Sequence, residues 1–126
     1  MFDPDTIEGT DILRKELPEE SQYWHIFHHI SELHYVHIFD EKYNDYICCI
    51  DLMLTDYYNK YTIKLSLYNV SGNLSFDIIN GFYSGFTIDD CSDRGYEKHC
   101  RFQIYSVEPD IEFHIYCEKI KAELVH

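Results

Sequence analysis

The chemistry-bearing residues of this chain are its histidines, cysteines and carboxylates. Eight histidines and five cysteines are spread over 126 residues. His25, His28 and His29 stand at i, i+3 and i+4, positions that share one face of a helix. Two histidines four residues apart can hold zinc, but that motif sets a Glu directly after the first His. Here Ile26 follows His25 and no third ligand is marked. A metal-dependent hydrolase built on this face is one reading, and a polar helix flank is the other. The cysteines are Cys48, Cys49, Cys91, Cys100 and Cys117, with no C-x-x-C spacing among them. Adjacent Cys48 and Cys49 face opposite sides if they lie on a strand. Cys91 and Cys100 could close a short hairpin, but the start of the chain favours reduced thiols. Asp89, Asp90 and Asp93 with Gly95 resemble a calcium loop in composition only, since the EF-hand spacing is absent. No G-x-S-x-G, P-loop or G-x-G-x-x-G is present. These residues assign no catalytic group, no metal ligand and no cofactor.

Charge is the stronger signal. Asp and Glu number 23 against 10 Lys and Arg, a formal net charge of −13. That balance argues against a nucleic-acid binder, whose affinity comes from cations neutralising phosphates. Twelve Tyr, eight Phe and one Trp supply ample apolar area, which argues against disorder. No run approaches the ~20 apolar residues of a membrane-spanning helix. The opening MFDPDTIEGTD has neither a basic n-region nor an apolar h-region, so the expectation is a cytoplasmic protein. The acids are unevenly spread. Residues 1–20 hold seven acids and two bases, and residues 32–56 hold six acids and one base, Lys42.

The elements that must position these residues follow from periodicity. The expectation is one domain, mainly β with some α. Residues 1–32 form a helical N-terminal segment, and residues 33–126 form an antiparallel meander of about seven strands, as a sandwich or a curved sheet. Asp11 can cap a short helix running to about Leu17, which Pro18 stops. Tyr23, Ile26, Phe27 and Ile30 then keep helical spacing, which predicts a second helix over 19–30. From residue 33 the period becomes two, giving strand candidates at 34–39, 46–54, 61–70, 73–79, 85–90, 100–107 and 111–125. In the last of these, Ile111, Phe113 and Ile115 share one face, and Ile120, Ala122 and Leu124 follow after a one-residue change of phase. That change predicts a bulge or bend near 116–118. The connectors, including 40–45, 71–73 and 80–81, are short, which favours antiparallel pairing.

In a simple meander, alternate turns meet at one end of the sheet. Loops 40–45, 71–73 and 91–98 would then gather Asp40, Glu41, Tyr43 and Asp45 near Asp89, Asp90 and Asp93. Carboxylates mixed with tyrosines suit a basic protein partner: charge steers the encounter and aromatic rings supply contact area. Those seven residues are the expected partner-binding set.

The segments YWHIFHHISELH (23–34), YTIKLSLYNVSGNLSFDI (61–78), FYSGFTIDD (82–90) and IEFHIYCEKIKAEL (111–124) carry a family likeness. Over residues 20–125 the chain resembles the small, acidic, β-rich immunity proteins of bacterial toxin–immunity systems, of the polymorphic-toxin and contact-dependent growth inhibition types. The resemblance implies a non-enzymatic protein that binds a cognate toxin domain, often a basic nuclease, and blocks its active site or substrate access. A non-catalytic scaffold domain is the remaining alternative. Oligomeric state stays open.

Overall fold

The structure is a computed structural model, and it describes residues 2–74, 78, 85–92, 100–106 and 112–125. The chain is mainly β, and the named strands pair antiparallel. Among the described residues, the helix α1 (Thr10–Glu16) is followed by eight strands: β1 (His29–Asp40), β2 (Asp45–Thr55), β3 (Thr62–Tyr68), β4 (Ser71–Leu74), β5 (Phe86–Asp90), β6 (Phe102–Ser106), β7 (Phe113–Cys117) and β8 (Lys119–Leu124). They form two four-stranded sheets, ordered β1-β2-β3-β8 and β4-β7-β6-β5.

The two sheets are joined by a pair of bent strands. β3 continues into β4 across Asn69–Val70, and β7 continues into β8 across Glu118. β3 pairs with β8 and β4 pairs with β7, so the two bends lie side by side. Asn69 takes a left-handed conformation at φ 59°, one that Asn tolerates well. The Glu118 N–H donates to the Tyr68 carbonyl at 2.9 Å, which carries the ladder through the corner. Glu118 is the point where the inward face changes phase: Phe113, Ile115 and Cys117 are buried before it, Ile120 and Ala122 after it. The bend expected near 116–118 is therefore real, and it splits the last predicted strand in two. The pairing order departs from a simple meander: β4 joins β7 rather than β3, and β8 returns to β3. Residues 71–73, read as a connector, belong to β4.

The core lies between the sheets. Ile50, Leu52, Leu54, Ile63, Leu65 and Leu67 meet Phe86, Ile88, Phe102, Ile104, Phe113 and Ile115 in one buried cluster. The N-terminal segment closes one open side of the sandwich. Phe2, Leu13, Leu17, Trp24 and Phe27 are buried there, with the Phe2 and Trp24 rings 4.5 Å apart and Trp24 5.8 Å from Phe86.

The second predicted helix does not form. Residues 19–30 make two short 3₁₀ turns, Glu19–Ser21 and Trp24–Ile26, and then enter β1 at His29. The buried residues are Ser21, Gln22, Trp24, Ile26 and Phe27, a set that lies on no single helical face. Gln22 turns back, and its amide donates to the Arg14 and Leu17 carbonyls at 2.9 Å, satisfying acceptors left open at the end of α1. Gly85 presses on this turn so closely that a Cβ there would lie 2.4 Å from the His25 Cα. Tertiary packing, rather than local period, decides the conformation of this stretch. The helical segment expected over 1–32 reduces to α1 and these turns, and the sheet starts at 29 rather than 33.

Candidate interaction surface

The expected docking residues divide into two groups with different states. Asp40 and Asp45 form the last register pair of the β1–β2 hairpin, and the turn between them holds Glu41, Lys42, Tyr43 and Asn44. Asp40 Oδ1 accepts the Lys42 N–H at 2.8 Å, and Asp45 Oδ1 accepts the Tyr46 N–H at 2.7 Å. Asn44, at φ 52°, takes the left-handed position that the turn requires. The tip reaches beyond its neighbour, because pairing with β3 begins only at Cys49. Glu41 and Asp45 are exposed, and Asp40 is half-buried.

The underside of the tip is tied to the corner. The Tyr43 hydroxyl donates to Glu118 Oε1, and Lys42 Nζ lies 3.4 Å from Glu118 Oε2. Glu118 is only 3% exposed. Burial pushes its carboxyl pKa up, but the hydrogen bonds from Tyr43 and Asn69 and the charge of Lys42 outweigh burial, and the net shift is downward. The same Glu118 contact, followed by burial, raises the Tyr43 hydroxyl. Glu118 is thus ionised and already neutralised by Lys42. It anchors the tip and offers nothing to a partner.

Asp89 and Asp90 stand in β5 and are engaged internally. The Tyr105 hydroxyl donates to Asp89 Oδ2 at 2.9 Å. Asp90 Oδ2 accepts the Thr6 hydroxyl at 2.6 Å and lies 3.3 Å from Arg101, while Oδ1 accepts the Ser92 N–H at 3.0 Å. Burial opposes the charge, yet these donors together hold the carboxyl far below its ordinary range. Asp90 therefore ties the N-terminal segment to β5 and β6, which corrects its place in a free docking face. Asp93 lies outside the described residues. Of the expected cluster, the described residues bring the end of β5 toward the corner that anchors the hairpin tip. Asp90, Phe102 and Cys117 align across the second sheet, and Glu118, the tip's anchor, follows directly. By strand spacing, Asp90 is about 10 Å from Cys117, backbone to backbone. Among the described residues at this end, the carboxylates open to a partner are Asp40, Glu41 and Asp45.

The histidine face proposed for a hydrolase is not assembled, because its helix is absent. His25 stacks near Tyr23 at 5.4 Å, His28 packs on Tyr57 at 3.9 Å, and His29 begins β1. Burial and then the neighbouring His29 lower the His28 pKa, with Asp56 opposing. Among the described residues, no group of three His, Cys, Asp or Glu is placed to hold a metal ion. Gln103 donates to Cys91 Sγ at 3.0 Å, and Cys91 and Cys117 are buried. No helix of the described residues is long and apolar enough to cross a membrane. A groove of about 620 Å³ between α1 and β8 is open and mixed in charge, lined by Glu16, Lys121 and Glu123, and indicates no ligand class.

Sequence reasoning missed two features. The first is the anchor of Lys42, Tyr43, Asn69 and Glu118, whose only hint is the change of phase at Glu118. The second is the exposure of β1: its alternation predicts an ordinary strand, whereas nearly its whole length is exposed. Compared with protein-family models, curated proteins and solved structures, the chain matches none.

Proposed function

We propose that this protein is a non-catalytic binding protein that neutralises a basic, nucleic-acid-degrading toxin domain by occluding its active site or substrate-binding surface. The reading rests on the net charge of −13 and on the immunity-protein resemblance. The observation that carries it is the hairpin tip, where Asp40, Glu41 and Asp45 present carboxylates on a turn braced from below by Glu118. A braced turn loses little freedom on binding, so more of each ion pair's energy appears as affinity. In this mechanism the tip carboxylates pair with the Lys and Arg that otherwise grip phosphate, and neighbouring aromatic rings fill the contact. The complex needs no nucleic acid, membrane or cofactor, and forms in the cytoplasm.

The test is co-purification with the product of the adjacent upstream gene, followed by titration at two salt concentrations. The expected result is a 1:1 complex whose affinity falls with salt. Combined Asp40→Asn, Glu41→Gln and Asp45→Asn should weaken it by about tenfold or more. An affinity indifferent to salt and to these changes would falsify the electrostatic mechanism.

A further inference from the structure

β1 is a sheet edge of unusual character for so acidic a chain. It is twelve residues long and pairs with β2 on one side, and no described residue pairs with its other side. Natural edges are blunted by Lys, Pro, short length or bulges. β1 has one bulge, at Ser31 between Ile30 and Glu32, which leaves 32–40 regular. Residues 33–39, LHYVHIF, contain no Asp, Glu, Lys or Arg. On the face shared with the core, Leu33, Tyr35 and Phe39 project past the cover of the second sheet, with Tyr46 of β2 beside Phe39 at 5.6 Å. Tyr35 is 55% exposed, Phe39 52% and Tyr46 66%. On the opposite face Val36 and Ile38 are exposed as well.

We propose that β1 is the interface to a second copy of this chain, paired antiparallel about a two-fold axis, so that two four-stranded sheets become one continuous sheet. Three features favour this occupant. A two-fold axis sets the strand against itself, so the interface is complementary to its own composition. The stretch without formal charge brings no carboxylate against a carboxylate: with Tyr35 at the axis, Glu32 faces Ile38, and the acidic tips lie at opposite ends of the pair. A cationic partner, by contrast, finds no countercharge between 33 and 39. The exposed area is also of the right order. The six apolar side chains above expose roughly 500 Å², against about 800 Å² per partner in a standard interface. Backbone pairing along the strand supplies part of the remainder. An interface of this size makes a concentration-dependent dimer of moderate affinity. The proposal stands whether or not a toxin binds the tip.

Sedimentation equilibrium of the full chain from micromolar to near-millimolar concentration tests it. The expected limit at high concentration is twice the 15.2 kDa chain mass. Tyr35→Lys and Val36→Lys, both at exposed positions, should raise the dissociation constant by at least about tenfold. Hydrogen exchange on the unmodified protein gives a second readout that needs no variant: outward β1 amides should gain protection as concentration rises, while β8 amides should not change. A chain that stays monomeric throughout, or a dimer that ignores both lysines and leaves β1 exchange unchanged, overturns the proposal.

Discussion

The first sheet has two outer strands, and the chain treats them in opposite ways. Along β8, Glu8 adds a parallel bridge: its N–H donates to Ile120 at 3.2 Å, and its carbonyl accepts the Ala122 N–H at 2.7 Å. α1 starts against the same strand. Gly9 sits so close that a Cβ would fall 2.0 Å from the Ala122 carbonyl oxygen, and its φ of 95° suits glycine. β1 has no such cover among the described residues, and its side chains are exposed on both faces. One edge is closed by the chain's own N-terminal segment, and the other is left as a surface. An open edge is therefore not a default of this fold, since the same sheet shows how an edge is sealed.

The sharpest way to break this comparison is to truncate one leucine at each edge. Leu13→Ala empties a buried site beneath α1 and should cost about 2–5 kcal/mol in urea denaturation. Leu33→Ala on β1 should cost less than about 1 kcal/mol, because the side chain is already partly in water. Equal losses would mean that β1 is buried by something beyond its own sheet.

Next come the two engaged carboxylates. Glu118→Gln and Asp90→Asn each keep the shape and remove the charge, and each should cost about 1–3 kcal/mol. They should differ in where the damage appears. Glu118→Gln loosens the tip, read as faster amide exchange over 41–44. Asp90→Asn loosens the N-terminal segment that seals β8.

The pH dependence sharpens the same point. Both carboxyls have folded-state pKa values below their ordinary ones, so their contribution is complete above the ordinary carboxylate range and disappears as pH falls through the folded values. The stability gap between the unmodified protein and Asp90→Asn should therefore narrow as pH drops from 7 toward 3. A gap that widens with acid would reverse the assignment. The smallest effect belongs to the open edge: Val36→Thr and Ile38→Ser should change monomer stability by no more than about 0.5 kcal/mol, measured in dilute protein.

Much of the fold is legible in residue spacing. Ile63, Leu65 and Leu67 alternate and are buried in β3, and the change of phase before Ile120 marks a real corner. What spacing cannot carry is partner choice. Residues 23–30 have helical period, but Gln22 ties the chain back to the end of α1, and Gly85, remote in sequence, packs against His25. The site shows the same division. Asp40 and Asp90 are the same residue type in similar acidic surroundings. One lies at an exposed turn, and the other is bound by Thr6, 84 residues away. Glu118 was overlooked because one Glu among 23 acids has no mark of its own until the chain folds around it.

The paired bends at Asn69–Val70 and Glu118 govern how the molecule comes apart. Two adjacent ribbons run through both sheets, so excising β5, β6 and β7 as a piece would also tear β8 from β3. The shared ribbons and the common core couple the two sheets. Heating should give a single cooperative transition, with calorimetric and van't Hoff enthalpies in agreement.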